Sequence, residues 1–216
     1  FIPIAEKTGL IISLGYWILD TACRQIREWQ DAGYEQLSVA VNLSAIQFRQ
    51  TNLLEEILNT LEATGIGAHQ LELEITESTI MDDIDTAAST MRALHCSGIR
   101  ISIDDFGTGY SSLSHLKRFP IKTVKIDRSF IRDITTDSDD AAIVGAIIGM
   151  AHNMGLKVIA EGVETQQQLD FLYSLQCDEV QGFLFSPPVP HQEACALLDL
   201  SVEAQHIPVA GKCSAS

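Results

Sequence analysis

Ile101–Ser112 reads ISIDDFGTGYSS, and its first half continues an alternation in which Ile99, Ile101 and Ile103 are apolar. β-Branched residues at every second position predict a strand over 99–104 with one face on a core. Two adjacent carboxylates follow, Asp104 and Asp105, and then Phe106, Gly107, Thr108 and Gly109. The glycines allow a sharp bend, so negative charge lies at the carboxyl end of a strand, on a pliable loop. Neighbouring carboxylates repel unless one holds a proton or a cation lies between them. A divalent cation with hard oxygen ligands, Mg²⁺ in particular, meets that need. A solvated Asp-Asp turn before a capped helix is the plainer alternative.

On either side of this strand the sequence alternates strands with helices. Strands are expected at 37–43, 71–75, 123–127, 157–160 and 179–185. Helices are expected at 10–32, 53–63, 80–96, 111–118, 140–153, 165–175 and 192–198, the first with an apolar stripe of Leu14, Ile18, Ala22 and Ile26. Six strands separated by helices argue for a parallel sheet. Each strand ends in, or reaches, a polar group: Asn42, Glu74, Asp104 with Asp105, Asp127, Glu161 and Gln181. In α/β sheets and (β/α)8 barrels the chemistry sits at the carboxyl ends of the strands. Six such ends are hard to explain as solvated turns. In TVKID, period two puts Lys125 and Asp127 on one face and Val124 and Ile126 on the other. With Val124 and Ile126 under the helices, Lys125 points inward, where a lysine needs a partner. Either it forms a structural ion pair with Asp127 or Glu161, or it holds a water or a phosphate oxygen.

Composition narrows the class. The 216 residues are 46% hydrophobic and 20% charged, enough for one sizeable core. Five scattered cysteines without a CxxC pair argue for reduced thiols in a cytoplasmic protein, not for a disulfide framework or zinc site. The six scattered histidines are read as ordinary. The net charge of −15 and the lack of a Lys/Arg run speak against a nucleic-acid polymer as partner. A polyanionic ligand would need a local positive focus, which metal ions could supply. The N-terminus has no signal-peptide pattern, and a start at Phe1 suggests a fragment of a longer protein, in which a membrane tether remains open.

FIPIAEKTGLI, VNLSA, LELEITES, DDFGTGYSSL, VKIDRSFI, AEGVE and QGFLFSPPVP together resemble, in order and spacing, the EAL family of bacterial cyclic-di-GMP phosphodiesterases. The resemblance runs from residue 1 to about 200, with 201–216 as a C-terminal tail. It implies a TIM-like (β/α)8 barrel, about six of whose eight strands are present. It also implies two divalent cations, Mg²⁺ or Mn²⁺, and hydrolysis of cyclic-di-GMP to linear pGpG. Asn42, Glu74 and Asp104 resemble ligands of one metal, which Asp104 shares with a second completed by Asp105 and Glu161. Lys125 resembles the residue that orients the attacking water, with Asp127, Glu161 and Gln181 as the other catalytic positions. Glu77 resembles the glutamate that steadies the loop of Phe106, Gly107, Thr108 and Gly109, and Glu164 resembles a supporting residue. Gln181, Gly182, Phe183 and Pro187 match substrate-binding positions, although the family often has a basic residue where Pro187 stands.

The strand that gives the family its name would precede Phe1, and with it a glutamate ligand. The resemblance therefore predicts that the 216 residues alone are impaired. It further implies a homodimer, paired through the helix after the DDFGTGYSS loop, and an upstream sensory or diguanylate-cyclase-like domain. Two other readings remain: a module that binds cyclic-di-GMP without hydrolysing it, and an unrelated enolase-like barrel in which Lys125 is a general base.

Overall fold

The computed structural model describes residues 1–34, 36–109 and 116–205; for 199–205 it describes the backbone only. The described residues fall into two compact units that divide after residue 185. The first holds α1 (Ile2–Thr8), α2 (Leu10–Asp31), β1 (Val39–Asn42), α3 (Ala45–Phe48), α4 (Leu53–Thr64), β2 (Leu71–Thr76), α5 (Glu77–Met81), α6 (Ile84–Cys96) and β3 (Arg100–Phe106). It continues with β4 (Thr123–Ile126), α7 (Arg128–Arg132), α8 (Ser138–Asn153), β5 (Lys157–Glu161), α9 (Gln166–Ser174) and β6 (Glu179–Gln181). The second contains α10 (His191–Gln205), which passes the expected end at 198.

The sheet order is β1-β2-β3-β4-β5-β6, and every neighbouring pair is parallel. Sequential parallel strands with intervening helices are the winding of a (β/α)8 barrel, of which six strands are present. Because all six run the same way, their carboxyl ends share one rim. Asn42 stands beside Glu74, and Glu161 beside Gln181. Leu71, Leu73, Ile75, Ile101, Ile103, Val124 and Ile126 fill the layer under the helices and are essentially inaccessible.

Three element details differ from expectation. Helix α2 buries Ile11, Gly15, Leu19, Cys23 and Ile26, leaving the expected Leu14 and Ile18 on its flank. Both stripes have helical spacing, and only packing against α4 and β1 selects between them. The helix expected at 80–96 is two helices, because Asp83 accepts a hydrogen bond from the Thr86 N–H and starts α6 afresh. Strand β6 is only three residues long, ending where the backbone turns at Gly182. The helix expected at 111–118 lies largely outside the described residues.

Candidate active site

The Lys125 side chain is 5% exposed, and its ammonium lies among three carboxylates on the rim. Its Nζ is 2.5 Å from Glu161 Oε1, 2.7 Å from Glu74 Oε1 and 3.7 Å from Asp104 Oδ1. The sequence proposed Asp127 or Glu161 as its partner. The structure selects Glu161 and adds Glu74. Burial pulls the lysine pKa down, but the Glu161 and Glu74 hydrogen bonds and the Glu74 and Asp104 charges outweigh it, holding the group above its usual range. Lys125 is therefore an ammonium, a donor and not a base. Glu74 and Glu161 show the opposite balance: burial raises both carboxyls despite the lysine.

A β-bulge solves the problem set by the adjacent aspartates. In a regular strand, Asp104 and Asp105 would point to opposite faces. Here three residue steps on β3, from Ile103 to Phe106, span the distance covered by two on β4, from Val124 to Ile126. Asp105 takes φ +53, the left-handed region that few residues other than glycine adopt. Its carboxyl lies close enough to that of Asp127 for the two to influence each other's acidity. Burial, followed by the Asp104 and Asp127 charges, raises the Asp105 pKa. Burial also acts on Asp127, but its hydrogen bonds to Ser129, its interaction with Asp105 and the charge of Arg128 bring it net below the usual carboxylate range. Of the two carboxyls, Asp105 is thus the more weakly acidic and Asp127 the more strongly acidic. Asp127 also caps α7, accepting from the Ser129 N–H at 2.9 Å.

Glu77 is buried at the start of α5, and its Oε2 accepts the Gly107 N–H at 2.9 Å. A Cβ on Gly109 would lie 2.6 Å from the same carboxylate, so this glycine is what lets the loop approach. Phe106 is buried beside Ile126, while Thr108 returns its hydroxyl to the Asp105 carbonyl. Glu77 and the Phe106–Gly109 loop are thus in direct contact. Asn42 is exposed on the rim next to Glu74. Gln181 and Phe183 are also exposed, Phe183 at 63%. Gly182 is packed tightly: a Cβ would fall 2.1 Å from the Val163 carbonyl oxygen. Pro187 lies in the second unit and is exposed.

Sequence reasoning missed Gln168. It is 5% exposed; its Oε1 accepts the Glu164 and Thr165 N–H groups, and its Nε2 donates to the Ile131 and Arg132 carbonyls. One amide therefore ties the turn after β5 to the end of α7. The Thr165-x-x-Gln168 capping-box pattern was the available signal.

The rim suits hard cations in the chemistry of its donors. Asn42, Glu74, Asp104, Asp105 and Glu161 offer oxygens only, and three of the four carboxylates share one ammonium. Burial first, and neighbouring carboxylate charges after it, raise the pKa values of Glu74, Asp105 and Glu161, and a hard divalent cation would relieve both. Among the described residues no three acidic, histidine or cysteine side chains already form a metal cage. In the present arrangement the lysine is the cation on which they converge.

Residues 1–188 match the family model described as "EAL domain". The chain belongs to the EAL domain family. It is 50% identical over 196 residues to the Pseudomonas aeruginosa protein named "Bifunctional diguanylate cyclase/cyclic di-GMP phosphodiesterase MucR", covering 91% of this chain and 29% of that protein. It is 48% identical over 190 residues to "Cyclic di-GMP phosphodiesterase NbdA" of the same organism, covering 88% and 24%. The solved structure described as "PaMucR Phosphodiesterase, c-di-GMP complex" superposes with a TM-score of 0.88 at 49% identity, covering 90% of this chain and 78% of that one. The chain thus spans less than a third of the length of these curated relatives.

Proposed function

We propose that this EAL domain is a metal-dependent phosphodiesterase that opens cyclic-di-GMP to linear pGpG. The carboxylate-ringed Lys125 on a barrel rim carries the reading, supported by about 50% identity to proteins named for this activity. Asn42, Glu74, Asp104, Asp105 and Glu161 would hold two divalent cations, Mg²⁺ or Mn²⁺. Such ions supply Lewis acidity toward a phosphoryl oxygen and activate water. Lys125, fixed as a donor, orients the attacking water or a phosphate oxygen. Asp127, the more acidic partner of the Asp105 pair, accepts a hydrogen bond from that water, and Gln181 supports it. Water adds to phosphorus in line, the P–O3′ bond breaks, and the departing oxygen takes up a proton. Glu77 holds the Phe106–Gly109 loop that follows Asp105, and Glu164 supports the turn after Glu161. Gln181, Gly182, Phe183 and Pro187 line the path of the substrate.

The same reading extends to the rest of the protein. Among the described residues no single helix is long and apolar enough to cross a membrane, and we infer a cytoplasmic domain extending to about residue 200. We also infer a homodimer and an upstream sensory or cyclase-like domain. Strand β1 pairs only with β2 among the described residues, and Phe1, Ile4, Leu10 and Trp17 expose apolar surface on α1 and α2. The 216 residues alone are therefore proposed to turn over slowly compared with a chain carrying further β/α units.

Incubation with cyclic-di-GMP and Mn²⁺, with chromatography for pGpG, tests the activity on both the 216-residue chain and a longer one. Product formed by the longer chain supports the proposal. Tight binding without product in both assigns a non-catalytic binding module instead.

A further inference from the structure

Beside the carboxylate cluster lies a cleft of about 540 Å³, lined by Asp127, Arg128, Ser129, Arg132, Gly162 and Glu164. This volume is in the range of small-ligand sites. The cleft is continuous with the rim through Asp127, whose carboxylate also meets Asp105. Its two walls are α7, carrying Arg128, and the turn after β5, carrying Glu164. The Gln168 amide bonds both walls at once, so the width of the cleft is set by buried hydrogen bonds. Gly162 lets the walls come this close: its φ is +74, and a Cβ there would lie 2.6 Å from Arg128 Cβ. Arg132 already gives its Nε to Asp133. Arg128 and Glu164 are exposed, and among the described residues neither side chain enters an ion pair within 4.0 Å or a hydrogen bond.

We propose that this cleft recognises a guanine base of the cyclic dinucleotide, with Arg128 on the O6/N7 edge and Glu164 on the N1–H and 2-amino edge. The proposal rests on the function proposed above and adds the residues that read the base. The mixed lining points to a base and not to a second phosphate, which would have to sit against the Asp127 and Glu164 carboxylates. Guanine presents acceptors on one edge and donors on the next, matching a guanidinium on one wall and a carboxylate on the other. An arginine fork bonds O6 and N7 together, whereas adenine places an amino donor at that position and has no N1–H for Glu164. Neither Arg128 nor Glu164 is a rim carboxylate or the rim lysine, so their contribution is to binding and base choice.

The test is equilibrium binding by calorimetry in Ca²⁺, with chromatography confirming that the ligands stay intact. The ligands are cyclic-di-GMP, cyclic-di-AMP and the inosine analogue that lacks the 2-amino group. The wild-type chain is expected to prefer cyclic-di-GMP over both analogues. Arg128→Ala should weaken cyclic-di-GMP binding about ten- to hundredfold and shrink the preference over cyclic-di-AMP. Arg128→Lys, which keeps the charge but loses the fork, should restore only part of both. Glu164→Gln should abolish the preference for guanine over hypoxanthine. Both side chains are exposed, so melting temperatures near wild type are expected to accompany these losses. Wild-type affinity and base preference in both Arg128→Ala and Glu164→Gln would overturn the cleft assignment and leave the phosphodiesterase reading standing. An extended wild-type chain that binds no cyclic-di-GMP would overturn both.

Discussion

Replacing Lys125 with methionine keeps the length of the side chain and removes the only cation within reach of Glu74, Asp104 and Glu161 among the described residues. The ammonium and its partners are largely buried, with side-chain exposures of 5% for Lys125, 10% for Glu74 and 20% for Glu161. Breaking a buried pair by deleting one member costs about 3–5 kcal/mol, because the other charge is left uncompensated. Here two short contacts are lost together, which places the expectation toward the upper end. Part of the cost is avoided because Glu74 and Glu161, already raised by burial, can take up protons. For a chain of this size the loss corresponds to a drop of about 6–20 °C in melting temperature.

The charge argument also sets the sign of rescue. A divalent ion at about one hundred times its dissociation constant stabilises a fold by about 2.7 kcal/mol. Wild-type Lys125 competes for the same oxygens, so Mn²⁺ should stabilise Lys125→Met more than it stabilises wild type. Urea unfolding of both proteins in EDTA and in Mn²⁺ measures the two differences. Hydrolysis should stay low in the variant even when Mn²⁺ restores stability, because the donor has gone. A wild-type midpoint for Lys125→Met in EDTA would refute the buried-network argument. An equal Mn²⁺ response in both proteins would show that metal and lysine do not share these carboxylates.

Four further outcomes are expected. In EDTA, Asp105→Asn should gain stability over wild type as pH rises from about 4 to 7: a raised folded pKa gives stability that is present below the unfolded value and lost as pH climbs through the folded one. Urea midpoints across pH, parallel for the two proteins, would contradict this. Asp104→Ala should abolish turnover of a chain that is active as wild type, and near-normal rates in saturating Mn²⁺ would count against the shared-carboxylate assignment. Gly182→Ala should cost about 1–3 kcal/mol or more, since its Cβ meets backbone that has no room to yield; a wild-type melting temperature would argue otherwise. Gln168→Leu should cost about 1–3 kcal/mol, with the buried Ile131 carbonyl and the part-buried Glu164, Thr165 and Arg132 backbone groups losing partners, and a melting temperature unchanged from wild type would show the clamp to be dispensable.

The rim was legible because it follows from two local rules. Strand–helix alternation makes the strands parallel, and parallel strands bring Asn42, Glu74, Asp104, Lys125, Glu161 and Gln181 to one end. Period two placed Lys125 inward, whereas the role of Glu77 came from the resemblance and not from spacing. What was not legible depends on contacts between distant segments. Lys125 took Glu74 as well as Glu161 because β2 and β4 flank β3, a fact of sheet order and not of spacing within TVKID. Gln168 reaches residues 36 and 37 positions away, which no sequence period reports. The buried face of α2 went to the other of two apolar stripes because packing alone distinguishes them.

The bulge in β3 explains why the two aspartates must be adjacent in sequence and yet act together. A regular strand would send Asp105 under the helices, among Ile101, Ile103, Val124 and Ile126, where a carboxylate has no partner. The extra residue between Ile103 and Phe106 turns it toward Asp127 instead, and the following glycine, Gly107 at φ +99, reverses the chain so that its N–H reaches Glu77. The left-handed conformation at Asp105 costs roughly 1–2 kcal/mol; the Glu77 bond to Gly107 helps to offset it. Asp105 and Asp127 repel each other when both are ionised, and each carboxyl shifts the pKa of the other. A cation between them would turn that repulsion into attraction. The position of the whole Phe106–Gly109 loop is therefore tied, through one bulged residue, to whether a cation lies between Asp105 and Asp127.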